Sequence, residues 1–183
     1  PSRTTCAEPS TCSTLILAKH KPVARGGLAG DPLAGTLPGA WATFRDQHGT
    51  FTVVGIHYTW PIPAGPQQQQ TMWLAKVLKR FAKDRLIVAG DMNSTPWSFS
   101  MRRQDRLFGL ERRTRALASW PAGRSSEFPL TLPFPVLPID QVYAGKGWRT
   151  VSVRRGPTLG SDHFPIVVTL APNADWTAGQ RRP

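Results

Sequence analysis

The sequence predicts a mixed α/β sandwich, two β-sheets flanked by helices. Three observations predict it. Short strand-like runs outnumber helical ones, and many of their connections are short, which fits a sandwich better than a doubly wound parallel sheet. Eighteen Pro and 16 Gly imply many turns and exclude a helical bundle. The chain has 183 residues, 40% apolar and 19% charged, enough for one domain with a real core. That balance also excludes a disordered or coiled-coil chain.

The elements follow in order. Residues 1–12 (PSRTTCAEPSTC) are polar and turn-rich and read as a lead-in; because the chain opens on Pro1, it reads as part of a longer protein. Residues 13–18 (STLILA) form the first strand by β-branched and apolar content. Residues 41–44 and 51–57 make a hairpin around the turn at 46–49 (DQHG). Residues 67–83 are the best helix, with Trp73, Val77 and Phe81 at a spacing of four and Lys76, Lys79, Arg80 and Lys83 opposite. The only low-complexity stretch, Gln67 to Gln70, opens it. Residues 86–89 (LIVA) read as a buried strand. A second helix runs over 96–108, with Thr95 as N-cap, Pro96 in the first turn and Gly109 as stop. Residues 111–138 lack a period and read as a surface loop. Strands at 139–144, 148–154 and 165–170 complete the domain, 13–170, and 171–183 form a flexible tail.

Charge and scarcity bound the chemistry. Lys and Arg total 23 against 11 acidic residues, a formal net charge of +12. That surplus points to a polyanionic partner: nucleic acid, a phosphorylated substrate or an anionic lipid surface. Only four His and 11 acids are available for metal or acid–base work. No run of about 18 apolar residues occurs, and no signal peptide opens the chain. Cys6 and Cys12 are the only cysteines, either a disulfide of an oxidising compartment or two free thiols. With no His nearby, they do not suggest zinc.

Four motifs carry the remaining signal. In I-V-A-G-D-M-N-S-T-P a strand delivers Asp91 and Asn93 to its C-terminal end, two residues apart. In extended geometry they face the same way, a carboxylate to hold a water and an amide to donate to a phosphate oxygen. The same D-x-N spacing also suits a local turn. In G-S-D-H-F-P, Asp162 offers a hard metal ligand and His163 a titratable base; a capped turn reads equally well. In P-I-D-Q-V-Y, Asp140 lies within an apolar strand and needs a partner, His163 or one of many Arg residues. In V-V-G-I-H-Y-T-W-P, His57 closes a strand, placed to touch a phosphate or protonate a leaving group. His20 and His48 fall in turns and receive no role.

The order H-x-x-W-P, G-D-M-N-S-T-P, I-D-Q-V, S-D-H-F-P resembles the endonuclease/exonuclease/phosphatase superfamily. That group includes pancreatic-type deoxyribonucleases, abasic-site endonucleases, neutral sphingomyelinases and inositol polyphosphate 5-phosphatases. The likeness covers residues 13–170 and is greatest to bacterial members with W-S after G-D-x-N, here Trp97 and Ser98. It implies a four-layer, deoxyribonuclease-like fold and a phosphoesterase using Mg²⁺, with Mn²⁺ as an alternate. It implies metal-site roles for Asp162, Asp91 and Asn93. It implies that Asp91 and Asn93 also hold the scissile phosphate and water, that His163 is the base or phosphate contact, that Asp140 buttresses it, and that His57 is the upstream His. Two departures stand out. Gln141 replaces a common His. The family's metal-binding Glu and an earlier Asn precede the strand that begins near Ser13, so the chain resembles the C-terminal three-fifths of a domain lacking its first strands; Glu8 does not fill the gap. Some bacterial members carry an N-terminal membrane anchor and face the periplasm.

Substrate class is less defined. Arg102, Arg103, Arg106, Arg112, Arg113 and Arg115 follow the G-D-M-N motif and could track a nucleic-acid backbone, or simply reflect an Arg-rich composition. Trp60 and Trp97 flank catalytic motifs and could stack on a base or touch a lipid chain. The expectation is a monomeric nuclease or other phosphoesterase. The alternatives are a phospholipid or phosphoinositide phosphodiesterase at an anionic membrane, and a binding module inactive for want of the Glu.

Overall fold

The structure, a computed structural model, describes residues 1–6, 12–29, 31–123, 132 and 134–173. Its centre is a six-stranded mixed sheet in the order β3 (Ala24–Gly27), β4 (Gly39–Asp46), β5 (Gly49–His57), β6 (Leu86–Asp91), β8 (Asp140–Ala144), β7 (Glu111–Arg112). Strand β4 (Gly39–Asp46) pairs antiparallel with β5 (Gly49–His57) as the sequence predicts, with Asp46 opposite Gly49. The turn closes because Gly49 takes a φ of 108° and Asp46 accepts the amide of His48 at 2.8 Å. Strand β5 runs parallel to β6 (Leu86–Asp91), the crossover being helix α1 (Ala64–Leu78). Strand β8 (Asp140–Ala144) pairs antiparallel with β6, and β7 (Glu111–Arg112) with β8.

Period-two alternation assigns the two faces of this sheet. Thr52, Val54, Ile56, Leu86, Val88 and Tyr143 are buried, and most of them pack with Leu74 and Val77 of α1 and Met101 and Phe108 of α2 (Phe99–Phe108) in the main core. Val53, Gly55, His57, Ile87, Ala89, Asp91 and Asp140 alternate with them and face the other layer. That layer holds two strand pairs: β1 (Ser2–Thr5) with β2 (Leu15–Ala18), and β9 (Trp148–Arg155) with β10 (Ile166–Pro172). The predicted mixed α/β sandwich is therefore present, its second layer consisting of two separate pairs among the described residues.

Several boundaries differ from the sequence reading, each for a physical reason. The lead-in contains β1, whose S-R-T-T run has no apolar signal; it is held by pairing to β2 and by a Cys6–Cys12 disulfide. Strand β3 (Ala24–Gly27, ARGG) is likewise invisible by propensity. Helix α1 starts three residues early, because Pro66 lies in a first turn that needs no amide donor, and it ends before Phe81. A short 3-10 turn, Lys83–Arg85, follows. Helix α2 is capped by Ser98, whose Oγ accepts the Met101 amide at 3.2 Å, rather than by Thr95. Gly109 stops it in the left-handed region at φ 54°, as predicted.

The segment expected to be a surface loop carries β7 and buries Arg113, Thr114, Ser119 and Trp120. Arg113 donates to the carbonyls of Gly145 and Trp148 at 3.1 and 3.0 Å and pairs with Glu111 at 3.0 Å. Arg112 pairs with Asp105 at 2.8 Å. Both guanidinium groups are thus engaged within the protein. Of the expected tail, Ala171 and Pro172 belong to β10, and residues 174–183 lie outside those described, as does Glu8.

Candidate active site

Strand register builds the site. His57 lies opposite Asp91 on β5 and β6, and Asp91 lies opposite Asp140 on β6 and β8. Three strand ends therefore project an imidazole and two carboxylates from one edge of one face. Gly90 makes the approach of β6 to β5 possible: its φ is 152°, and a Cβ there would sit 1.8 Å from the Ile56 carbonyl oxygen.

Asn93 reaches the site differently from the sequence expectation. It is past the strand, in the left-handed region at φ 45°. The Asp91 Oδ1 accepts the Asn93 backbone amide at 2.8 Å, so the turn and the site are one structure. The Asn93 side chain is buried and donates from Nδ2 to the Tyr58 carbonyl at 2.8 Å. Two glutamines from α1 hold this loop and the segment that follows β5. Gln67 donates to the Thr59 and Met92 carbonyls at 3.0 and 3.1 Å and accepts the Ser94 hydroxyl at 2.9 Å. Gln70 accepts the Thr59 amide at 2.8 Å.

His163 arrives from the turn before β10. Its Nδ1 is 2.7 Å from Asp140 Oδ2, which answers the question of Asp140's partner in favour of His163. Its Nε2 is thereby turned toward Asp91, 3.8 Å from Oδ2. Ser161 Oγ accepts the His163 amide at 3.1 Å, and the Asp162 carbonyl accepts the Ala122 amide at 2.6 Å, anchoring the turn. On the far side, His57 Nε2 is 3.6 Å from the same Asp91 oxygen, and its Nδ1 lies 2.9 Å from Ser13 Oγ.

These groups open on one cleft of about 420 Å³, lined also by Trp60, Trp120 and Asp162. Trp60 stands edge-on to Trp120, their ring centroids 6.5 Å apart. Trp97, Arg102 and Arg103 are not in the lining: Arg102 stacks on Phe99 at 4.6 Å, and Arg103 lines a groove between the helices. Gln141 alternates away from the cleft, buried against Thr114 and Pro138. Ser13, Tyr58, Gln67, Gln70 and Trp120 support the site without having been singled out by the sequence; the Gln run read only as biased composition.

The electrostatics follow from crowding. Burial, followed by the nearby Asp140 charge, pushes the Asp91 carboxyl up to about 6, against the lowering effects of the Asn93 amide and the two imidazoles. Burial alone would lower the His163 imidazole, but its hydrogen bond to Asp140 and the charges of Asp140, Asp91 and Asp162 outweigh that and hold it above its ordinary value. Among the described residues no group of three or more His, Cys, Asp or Glu is placed to hold a metal ion. A hard cation that keeps most of its waters needs only one or two carboxylates. Asp91 and Asp162 line one cleft and would supply those, with the Asn93 amide oxygen as a third donor, so the chemistry of the donor set fits Mg²⁺ or Mn²⁺ in kind.

Residues 10–163 match the endonuclease/exonuclease/phosphatase family, and the chain belongs to it. Similar solved structures share its fold. A protein of unknown function from Enterococcus faecalis is 18% identical, with a TM-score of 0.58 over 78% of this chain and 59% of that one. A mannosyl-6-phosphatase from Bacteroides thetaiotaomicron is 16% identical, with a TM-score of 0.53 over 75% and 58%. A beta toxin variant from Staphylococcus aureus, with bound magnesium ions, is 13% identical, with a TM-score of 0.57 over 89% and 71%. The chain thus spans 59% of the length of the first of these. Among curated proteins, no sequence matches.

Proposed function

We propose that this chain carries the catalytic half-site of a divalent-cation-dependent phosphoester hydrolase, acting by in-line attack of water on phosphorus. The observation that carries it is the Asp140–His163 hydrogen bond, which aims His163 Nε2 at Asp91 across an open cleft. The carboxylates of Asp91 and Asp162 and the amide oxygen of Asn93 would hold the cation, which when bound supplies charge neutralisation at the phosphoryl oxygens. His163 accepts the proton of the attacking water, and Asp140 holds its tautomer and steadies the imidazolium that forms. Asp91 orients that water. His57 stands opposite, where its Nε2 holds a phosphate oxygen or returns a proton to the leaving oxygen as the phosphorus–oxygen bond breaks. A Cys6–Cys12 disulfide supports residence in an oxidising compartment, in keeping with a periplasmic location.

The test is hydrolysis of bis-p-nitrophenyl phosphate with Mg²⁺ and with EDTA, by this chain and by a version with upstream strands restored. Turnover in Mg²⁺ that vanishes in EDTA and in Asp162→Ala supports the reading. Turnover that survives either, or its absence from both versions, overturns it.

A further inference from the structure

Large apolar side chains stand in solvent at one end of the helix pair: Ile62 is 87% exposed, Phe99 86% and Trp97 59%. The first turn of α1, at Gly65 and Pro66, faces Phe99 across a groove of about 610 Å³ that Met72 and Leu107 also line. Ile62 leads into α1 and Trp97 into α2. The same end of α1 carries Gln67, bonded to the loop that holds Asn93, so this apolar rim adjoins the cleft. Exposed apolar groups concentrated in this way mark an interaction surface.

Its charge is one-sided. Helix α1 contains no acidic residue. The one acid of α2, Asp105, is taken by Arg112 and the Tyr143 hydroxyl. Lys76, Arg102, Arg103 and Arg106 are exposed on the two helices. We propose that this face docks on an anionic phospholipid membrane, with Ile62, Trp97 and Phe99 entering the headgroup–acyl boundary and the arginines meeting lipid phosphates. Nucleic acid fits less well: Ile62 has no ring to stack, and Arg112 and Arg113 are engaged inside the protein. A second copy would bring like charges together. Docking stands by itself; delivery of a lipid phosphoester to the adjacent cleft rests on the phosphoesterase reading.

The test is co-sedimentation of the 183-residue chain with vesicles of phosphatidylcholine, or of phosphatidylcholine and phosphatidylglycerol in equal parts. The chain should bind the second and not the first. Ile62→Ser and Phe99→Ser should each weaken partitioning about tenfold, with thermal melting and bis-p-nitrophenyl phosphate hydrolysis unchanged. Arg106→Gln should reduce the preference for phosphatidylglycerol. Failure to bind overturns docking, as does binding indifferent to Ile62 and Phe99. So do tighter binding to DNA than to vesicles and a dimer dispersed by the same substitutions. Vesicle binding without hydrolysis supports docking and contradicts only the phosphoesterase reading.

Discussion

Asp91 is held between two imidazoles: its Oδ2 lies 3.6 Å from His57 Nε2 and 3.8 Å from His163 Nε2. Neither distance is a hydrogen bond, so the partly buried carboxylate stands beside Asp140 with two long imidazole contacts and the Asn93 amide to offset the repulsion. The arrangement favours chemistry over stability.

Asp91→Asn should therefore stabilise the metal-free chain. The folded carboxyl titrates near 6 rather than 3.8, so the folded state binds the proton more tightly than the unfolded one. Its stabilising contribution is present below 3.8 and lost as pH rises through about 6. Above that the variant should gain about 2 kcal/mol, and near pH 4 almost nothing. Urea denaturation in EDTA across this range checks it; an equal or lower stability of the variant at pH 8 contradicts it.

Gly90→Ala should destabilise by about 3 kcal/mol, from positive φ and the clash with the Ile56 carbonyl. Chemical denaturation measures this directly. A loss below about 1 kcal/mol would mean that β6 can move away from β5.

Gln67→Leu should cost about 2 kcal/mol, because the Met92 carbonyl and the Ser94 hydroxyl lose their buried partner. Since the same loop places Asn93, substrate KM should rise while the His163 titration stays put. A variant with wild-type stability and KM would assign Gln67 no positioning role.

How much of this was legible follows from where the information lay. His57, Asp91, Asp140 and His163 stood out because His and acids are scarce here, and the structure brings all four to one cleft. The alternating strands β4 to β6 were legible because one face of each is core. Strands β1 and β3 were not, since S-R-T-T and A-R-G-G are held by neighbours rather than by propensity. Trp97, Arg102 and Arg103 were linked to the site by closeness in sequence to Asp91, but the turn before helix α2 and the helix itself carry them outside the cleft. Gln67 read as biased composition and Arg113 as one of an Arg cluster able to track a nucleic-acid backbone; only their placement against backbone carbonyls shows that they are buried supports.

The Asp140–His163 pair is central, and the pH dependence of phosphodiester hydrolysis by Asp140→Asn tests it most directly. A base must be unprotonated, so the wild-type rate should rise to an alkaline plateau with a midpoint above the ordinary His value, given the upward pull of Asp140. In Asp140→Asn the plateau should fall about 10- to 100-fold, and the midpoint should move to lower pH. A variant profile that superimposes on the wild type, or a wild-type rate flat from about pH 5 to 9, would contradict His163 as the base.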